Sequence, residues 1–267
     1  MQYKTLCSDL DGTLLTTKSD VSDFTIAEIA RIKKHVQIIL VSARMPKAMT
    51  YLQRRLGIEN EPIICYNGAF ILHGSNEIAS TIIPIEHLEA IHDLASFHFI
   101  KLGLYYKNEW YVDENTERVR KEIAYTQATP FFRETRDTLL DWKERAVGAH
   151  KIMLMGQKTN TDRIFPELQQ KWGHQLHFYR SNDTLIEVAP KTVSKLSAIE
   201  QLLPSATGLR NVIAFGDNYN DIEMLKKVGL GVAVANAREE VQSVADRITL
   251  KNTEDGVAHF IKEHLLF

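Results

Sequence analysis

Two short acidic loops carry the residue types with the most chemistry in this chain. They are Asp9-Leu10-Asp11-Gly12-Thr13 near the start and Gly216-Asp217-Asn218-Tyr219-Asn220-Asp221 late in the sequence. Each follows a short apolar run that reads as a buried strand, Tyr3 to Cys7 before the first and Val212 to Phe215 before the second. Both loops therefore belong at strand carboxyl ends, which in an open α/β sheet border the crevice where ligands bind. Carboxylates gathered there repel one another. Two like charges about 4 Å apart cost roughly 1 kcal/mol in water and roughly 4 kcal/mol at an effective dielectric near 20. The cluster calls for a cation, and oxygen ligands of this kind suit Mg²⁺, which takes one or two carboxylates plus substrate phosphate.

The elements that must position these loops follow a βαβ rhythm. After the strand Tyr3 to Cys7 comes Ser22, an N-cap, then a helical segment with Ile26, Ile29 and Ala30 on one face. The apolar run Val36 to Val41 is the next strand. A second helix spans about Pro46 to Leu56 and leads through Gly57 to the strand Pro62 to Cys65 and the turn Asn67-Gly68. Such near-continuous apolar strands predict a parallel sheet covered on both faces.

After about Pro84 the rhythm changes to pairs of strands with helices between them. The strands expected are Lys101 to Tyr106, Trp110 to Asp113, Lys151 to Met155, Gln175 to Tyr179 and Thr184 to Val188, a pattern of α+β type. From Pro190 the alternation resumes, with a helix near Val193 to Leu203, the strand Val212 to Phe215, a helix near Asp221 to Lys227 and a strand at Gly231 to Val234. The expectation is one α/β sheet domain, residues 1–83 and 191–267, interrupted by a second domain over 84–190.

Composition narrows the class of partner. With 32 basic against 34 acidic residues the net charge is -2, which supplies no general field for nucleic acid or anionic lipid. A small molecule is the expected ligand, with no nucleic-acid and no membrane partner, for a monomer or small homo-oligomer. No run approaches 18 apolar residues, and acidic residues interrupt the N-terminal stretch at Asp9 and Asp11, so the expected location is cytoplasmic. Cys7 and Cys65 each end a buried strand and are read as small core hydrophobes. The histidines, among them His73, His87, His92, His98, His150 and His177, show no metal-ligand spacing.

Taken singly, these residues have plainer readings. Asp-Leu-Asp-Gly-Thr is a turn with Asx hydrogen bonds, Gly216-Asp217 opens a helix, Ser42 caps one, and Lys195 is a solvated helical lysine. The ordered set changes that reading. Asp9 to Thr13, Val41-Ser42-Ala43-Arg44, Lys195 and Gly216 to Asp221 resemble, in order and spacing, the four motifs of the haloacid dehalogenase superfamily. Tyr66-Asn67-Gly68-Ala69, Leu185 to Pro190, Asn236-Ala237 and Glu254 to Ala258 are similar to signatures of its Cof-type branch (subfamily IIB). Ala43, Leu196 and Ala235 stand where that pattern often has glycine.

The resemblance covers the chain and implies a Rossmann-like core with a parallel sheet, plus an inserted α+β cap of type C2. The implied activity is a Mg²⁺-dependent phosphatase for small phosphomonoesters, either sugar phosphates or phosphorylated cofactors. Asp9 would be the nucleophile that becomes an aspartyl-phosphate, and Asp11 the general acid and base. Gly12, Ser42, Lys195 and Asn220 would bind the phosphate. Asp9, the main-chain carbonyl of Asp11, and Asp217 would hold the metal, with Asp221 as a further ligand or a support, and Arg44 and Asn67 as supports. The cap would close over the site and contact the leaving group, with Lys101, Arg118, Lys151, Arg180, Ser181 and Asn182 as candidates. Two alternatives stand beside this reading: a phosphomutase of the same superfamily, and a phosphate-ligand sensor with little turnover.

Overall fold

The computed structural model describes residues 3–17, 19–203 and 208–266, with the side chain of Ser181 outside the described set. The chain divides into two compact units, residues 1–78 with 194–267 and residues 79–193.

The strands of the first half are β1 (Thr5–Ser8), β2 (Gln37–Val41), β3 (Pro62–Cys65), β4 (Phe70–His73) and β5 (Asn76–Ser80). Those of the inserted unit are β6 (Lys101–Tyr106), β7 (Glu109–Val112), β8 (Phe131–Phe132), β9 (Lys151–Met155), β10 (Leu176–Asn182) and β11 (Leu185–Pro190). The chain then returns with β12 (Val212–Gly216), β13 (Leu230–Val234) and β14 (Arg247–Thr249).

In the first unit the strands lie in the order β14-β13-β12-β1-β2-β3-β4-β5. From β14 to β3 every pairing is parallel. All residues of β1, β3 and β12 are buried, which is why these strands read as unbroken apolar runs instead of alternating ones. The sheet grows in one direction from β1 through β2 and in the other through β12. Crevices open at the carboxyl ends of strands at such a switch point.

Helices Asp23–Ile32 and Lys47–Leu56 follow β1 and β2, and each buries one apolar stripe, Ile29 and Ile32 in the first and Met49, Leu52 and Leu56 in the second. Ser22 caps the first, its side chain accepting from the Thr25 N–H, as its position in sequence predicts. The helix Lys195–Leu202 carries a capping box in which Ser194 and Ser197 satisfy each other's backbone N–H groups.

One extension departs from the parallel pattern. Beyond β3 the chain turns at Tyr66-Asn67-Gly68 and returns as β4 antiparallel to β3, with β5 outside it. Tyr66, Asn67 and Gly68 all have positive φ, at 53°, 56° and 106°. These left-handed residues reverse the chain within the four positions between Cys65 and Phe70. At Gly68 a Cβ would stand 2.4 Å from the Ser194 carbonyl oxygen, so this turn and the start of the Lys195 helix need a residue without a side chain.

The inserted unit is α+β. Its sheet runs β10-β11-β9-β6-β7-β8 and is antiparallel except for the short β7–β8 pair. One core gathers Leu102, Leu104, Ile152, Leu154, Ile186 and Val188 from the strands with Leu88, Ile91, Trp142, Ile164 and Leu168 from the helices. These strand residues alternate along their strands, the period expected when helices cover one sheet face. The aromatic run reads as packing: Tyr105 lies opposite Trp110 in register and stacks on it, ring centroids 5.3 Å apart, while Tyr106 and Tyr111 meet Trp142 edge-on.

The charged cap candidates are ion-paired within their own unit: Lys101 with Asp113, Arg118 with Glu122, Lys151 with Glu187 and Arg180 with Asp162. Asn182 Oδ1 accepts from the N–H of Thr184, and the Ser181 side chain lies outside the described residues. Among the described residues no helix is long and apolar enough to cross a membrane.

Candidate active site

The parallel register brings three motif loops together. Ser8, the last residue of β1, is paired with Phe215 of β12 on one side and Leu40 of β2 on the other. Asp9, Asp217 and Ser42 thus leave the carboxyl ends of adjacent strands. The Asp9 N–H donates to the Phe215 carbonyl at 3.0 Å, so the ladder reaches the carboxylate itself.

Just past Asp9 the backbone makes a tight five-residue turn, Leu10–Leu14, which apolar periodicity does not announce. Gly12 has φ +82°, and a Cβ there would stand 2.5 Å from Asp217 Oδ2. Glycine is required on both counts, conformation and space. The Gly12 carbonyl accepts from Asn236 Nδ2 at 2.8 Å, which fixes the turn to the loop after β13. Thr13 Oγ1 donates to Asp217 Oδ1 at 2.9 Å, joining the first acidic loop to the second.

Asp9, Asp217 and Asp221 each offer a carboxylate oxygen, and these oxygens all lie within 4.8 Å of one another. Lys195, first residue of its helix and 1% exposed, reaches into this group. Its Nζ donates to Asp9 Oδ1 at 2.6 Å and to Asp221 Oδ1 at 2.7 Å. The other Asp221 oxygen accepts the backbone N–H groups of Asp217 and Asn218, both at 3.0 Å. With both oxygens engaged and no exposed surface, Asp221 has the geometry of a brace for the loop and the lysine.

The electrostatics follow from burial. Burial first, then the Asp221 and Asp217 carboxylates, push Asp9 well above the usual carboxylate range against the pull of Lys195. Burial and Asp221 raise Asp217 to about 6, with the Thr13 hydrogen bond opposing. Burial alone would depress Lys195, but Asp221 and Asp9 more than reverse it, and the ammonium stays charged. Three carboxylates around one ammonium leave an excess of negative charge. This hard-oxygen donor set fits a divalent cation.

The remaining predicted residues converge on the same end of the sheet. Ser42 is buried, and its Oγ accepts from the Arg44 N–H at 3.2 Å, so it is no helix cap; the following helix begins at Lys47 after Pro46. Asn67 Oδ1 accepts from Asn220 Nδ2 at 3.0 Å, and the Asn67 N–H donates to the Ser42 carbonyl at 2.9 Å. Arg44 makes a two-pronged contact with Asp11, Nε to Oδ2 and Nη2 to Oδ1, both at 2.7 Å. Ala43, Leu196 and Ala235 do not have positive φ, so none needs glycine's freedom. Cys7 and Cys65 are buried and unbridged, their thiols pushed up by burial, as core residues are.

Three contributors escaped sequence reasoning. Thr13 lies inside the first motif, but its contact with Asp217 has no local signal. Tyr51, which touches Arg44, looks like any helical aromatic. Asn236 is visible as a signature residue but not as the clamp on Gly12.

A buried carboxylate, a buried lysine and an acidic cluster fit for a cation, at the switch point of a parallel sheet, are groups that a phosphoryl-transfer enzyme of α/β type uses. The haloacid dehalogenase-like hydrolase family model matches residues 6–261, and the chain belongs to that family, in its Cof-type branch. Pyridoxal phosphate phosphatase YbhA of Escherichia coli is 29% identical over 276 residues, covering 100% of both chains. The 5-amino-6-(5-phospho-D-ribitylamino)uracil phosphatase YitU of Bacillus subtilis is 26% identical, covering 96% of this chain and 95% of that one. The crystal structure of a haloacid dehalogenase-like hydrolase from Bacteroides thetaiotaomicron superposes with a TM-score of 0.88 at 29% identity, covering 98% of this chain and 99% of that one. The chain is a phosphatase, a phosphoric monoester hydrolase.

Proposed function

We propose that the protein is a Mg²⁺-dependent, cytoplasmic phosphatase that hydrolyses small phosphomonoesters through an aspartyl-phosphate on Asp9. The observation that carries this reading is the Lys195 ammonium bridging Asp9 and Asp221 inside a cluster of three carboxylates. The unit of residues 1–78 and 194–267 is read as the catalytic core and that of 79–193 as the cap, where the sequence pattern put the bounds at 1–83 with 191–267 and 84–190. Two buried, unbridged cysteines suit a reducing compartment.

Asp9 and Asp217, with the main-chain carbonyl of Asp11, would hold the cation, and Asp221 supports them through Lys195 and the loop N–H groups. Bound there, Mg²⁺ would offset the carboxylate charge and that of a phosphate dianion. An Asp9 oxygen attacks phosphorus as the bond to the leaving alkoxide breaks. Asp11 gives that alkoxide its proton. Asp11 then takes a proton from the water that cleaves the aspartyl-phosphate, releasing phosphate and restoring Asp9. Such acid and base assistance is worth about 10²- to 10⁴-fold. Lys195, the Ser42 hydroxyl and the backbone around Gly12 hold the phosphoryl oxygens as charge redistributes, and Asn220, braced by Asn67, steadies the loop beside them.

The relatives named for pyridoxal phosphate and for 5-amino-6-(5-phospho-D-ribitylamino)uracil support a small phosphomonoester substrate, a phosphorylated cofactor or a sugar phosphate. The test is phosphate release from a panel of such monoesters, with and without Mg²⁺, for the native chain, Asp9→Ala and Asp11→Asn. Mg²⁺-dependent release abolished by Asp9→Ala is expected. Release that persists in Asp9→Ala, or that needs no Mg²⁺, overturns the reading.

A further inference from the structure

Asp11 is the least confined of the four aspartates at the site, its side chain 51% exposed, yet its carboxylate is gripped at both oxygens by Arg44. A fork of two parallel N–H donors fixes the plane of a carboxylate as well as its distance. The guanidinium that does this is itself buried, with only 4% of its side chain exposed, and burial does not neutralise it: the Asp11 pair and the Tyr51 oxygen hold it charged.

Arg44 has one further nitrogen, and that nitrogen is held from the far side. Nη1 donates to the Tyr51 hydroxyl at 3.2 Å and lies 3.4 Å from the Ala48 carbonyl. The Tyr51 hydroxyl donates in turn to the Ser19 carbonyl, in the segment between the Leu10–Leu14 turn and the Ser22 cap. Tyr51 stands on the helix Lys47–Leu56, which is anchored by the buried side chains of Ala48, Met49 and Leu52. A continuous chain therefore runs from Asp11 through Arg44 and Tyr51 to Ser19, supported on a rigid helix. Long, flexible side chains hold a precise orientation only when their far ends are fixed in this way.

We propose that Arg44 and Tyr51 are positioning residues for Asp11. Arg44 orients the carboxylate, and the Tyr51 hydroxyl orients Arg44 while tying it to the segment that follows the catalytic turn. The inference rests on the reading of Asp11 as the general acid and base. Its particular content is that a phenol hydroxyl two contacts away from Asp11 controls the proton-transfer step and leaves phosphate binding and nucleophilic attack alone.

The experiment compares Tyr51→Phe, Arg44→Lys and Asp11→Asn with the native enzyme in single-turnover, rapid-quench measurements in Mg²⁺. Two substrates are used: p-nitrophenyl phosphate, whose phenolate departs without a proton, and the alkyl phosphate turned over fastest in the panel, whose alkoxide needs one. For Tyr51→Phe the rate of alcohol release from the alkyl phosphate is expected to fall at least about tenfold. The half-saturating enzyme concentration and the rate of nitrophenolate release should stay within about twofold of native. Arg44→Lys keeps the charge but loses the fork, and shows the same leaving-group pattern more strongly. Asp11→Asn shows it most strongly, about 10²-fold or more. An unchanged alkyl rate in Tyr51→Phe, or equal losses on both substrates, overturns the inference. Native alkyl rates in Asp11→Asn overturn instead the role of Asp11 itself. If Tyr51→Phe does not fold, Arg44→Lys carries the same comparison.

Discussion

Lys195 Nζ lies 2.6 Å from Asp9 Oδ1, although the two residues are 186 positions apart in the chain. Both are buried, so each depends on the other for charge compensation. With Asp221 accepting from the same ammonium, the first motif, the last motif and the lysine form a single electrostatic unit.

Replacing the lysine tests that unit directly. Lys195→Met leaves Asp9, Asp217 and Asp221 crowded without their cation, and breaking a buried pair from one side costs roughly 3–5 kcal/mol. Urea unfolding should show a loss of that size, and added Mg²⁺ should recover part of it by supplying the missing charge. A variant whose stability is indifferent to Mg²⁺ would speak against a cation at the cluster.

Gly12 links conformation to the same cluster. Gly12→Ala puts a Cβ 2.5 Å from Asp217 Oδ2 in a backbone with φ +82°. The positive φ alone costs about 1 kcal/mol, and displacement of the Asp217 carboxylate adds to it. The expected outcome is a folded protein with weaker Mg²⁺ binding by isothermal titration, about tenfold or more. Unchanged affinity would separate the turn from the metal-binding role.

The pH dependence of cation binding follows from Asp217, raised to about 6 mainly by burial. A carboxylate with a raised folded value carries a proton below about pH 6 that a cation must displace. Affinity for Mg²⁺ should therefore fall as pH drops through 6, by about tenfold per pH unit for each proton released. In the metal-free protein the sign for stability is opposite: the fold holds the proton more tightly than the unfolded chain, so Asp217 makes stability decline as pH rises from about 4 to 6. Titrations at pH 5 and pH 7.5 check the first statement, and Asp217→Asn should flatten the slope while lowering affinity.

A second pH effect belongs to the inserted unit. His150 is buried, Nδ1 accepts from the Lys107 N–H at 3.1 Å, and Nε2 is therefore the protonated nitrogen, donating to Ser80 Oγ at 3.0 Å. Burial first, and then Lys107, lower it to about 3. The unfolded chain binds the proton near its ordinary value while the fold refuses it. Stability is therefore unaffected above about pH 6.5 and declines below it, by at most about 1.4 kcal/mol per pH unit until the folded group itself titrates. Denaturant unfolding from pH 7 to pH 4 should show this slope in the native chain and a smaller one in His150→Gln.

Much of this molecule is local enough to be legible in its sequence. Buried parallel strands such as Val212 to Phe215 announce themselves as apolar runs, because both faces are covered. Ser22 marks a helix start because capping is a contact across three residues. The acidic loops could be placed at strand ends for the same reason: strand and loop are adjacent in the chain. The left-handed Tyr66-Asn67-Gly68 turn was visible as a turn, but not as the device that reverses β4. The five-residue turn after Asp9 has no periodicity to betray it.

The chain by itself thus determined which chemical groups are available and which loops carry them, since residue type and short-range pattern are properties of the sequence. Only the tertiary structure decided how those groups are shared. Asp221 spends both oxygens on Lys195 and two backbone N–H groups, Arg44 grips Asp11, and Thr13 binds Asp217. The Asp221 contacts to the loop N–H groups are local, but its bond to Lys195, the Arg44–Asp11 fork and the Thr13–Asp217 bond join segments distant in the chain, and such partners are set by distance and direction across the carboxyl end of the sheet, which no spacing along the chain encodes.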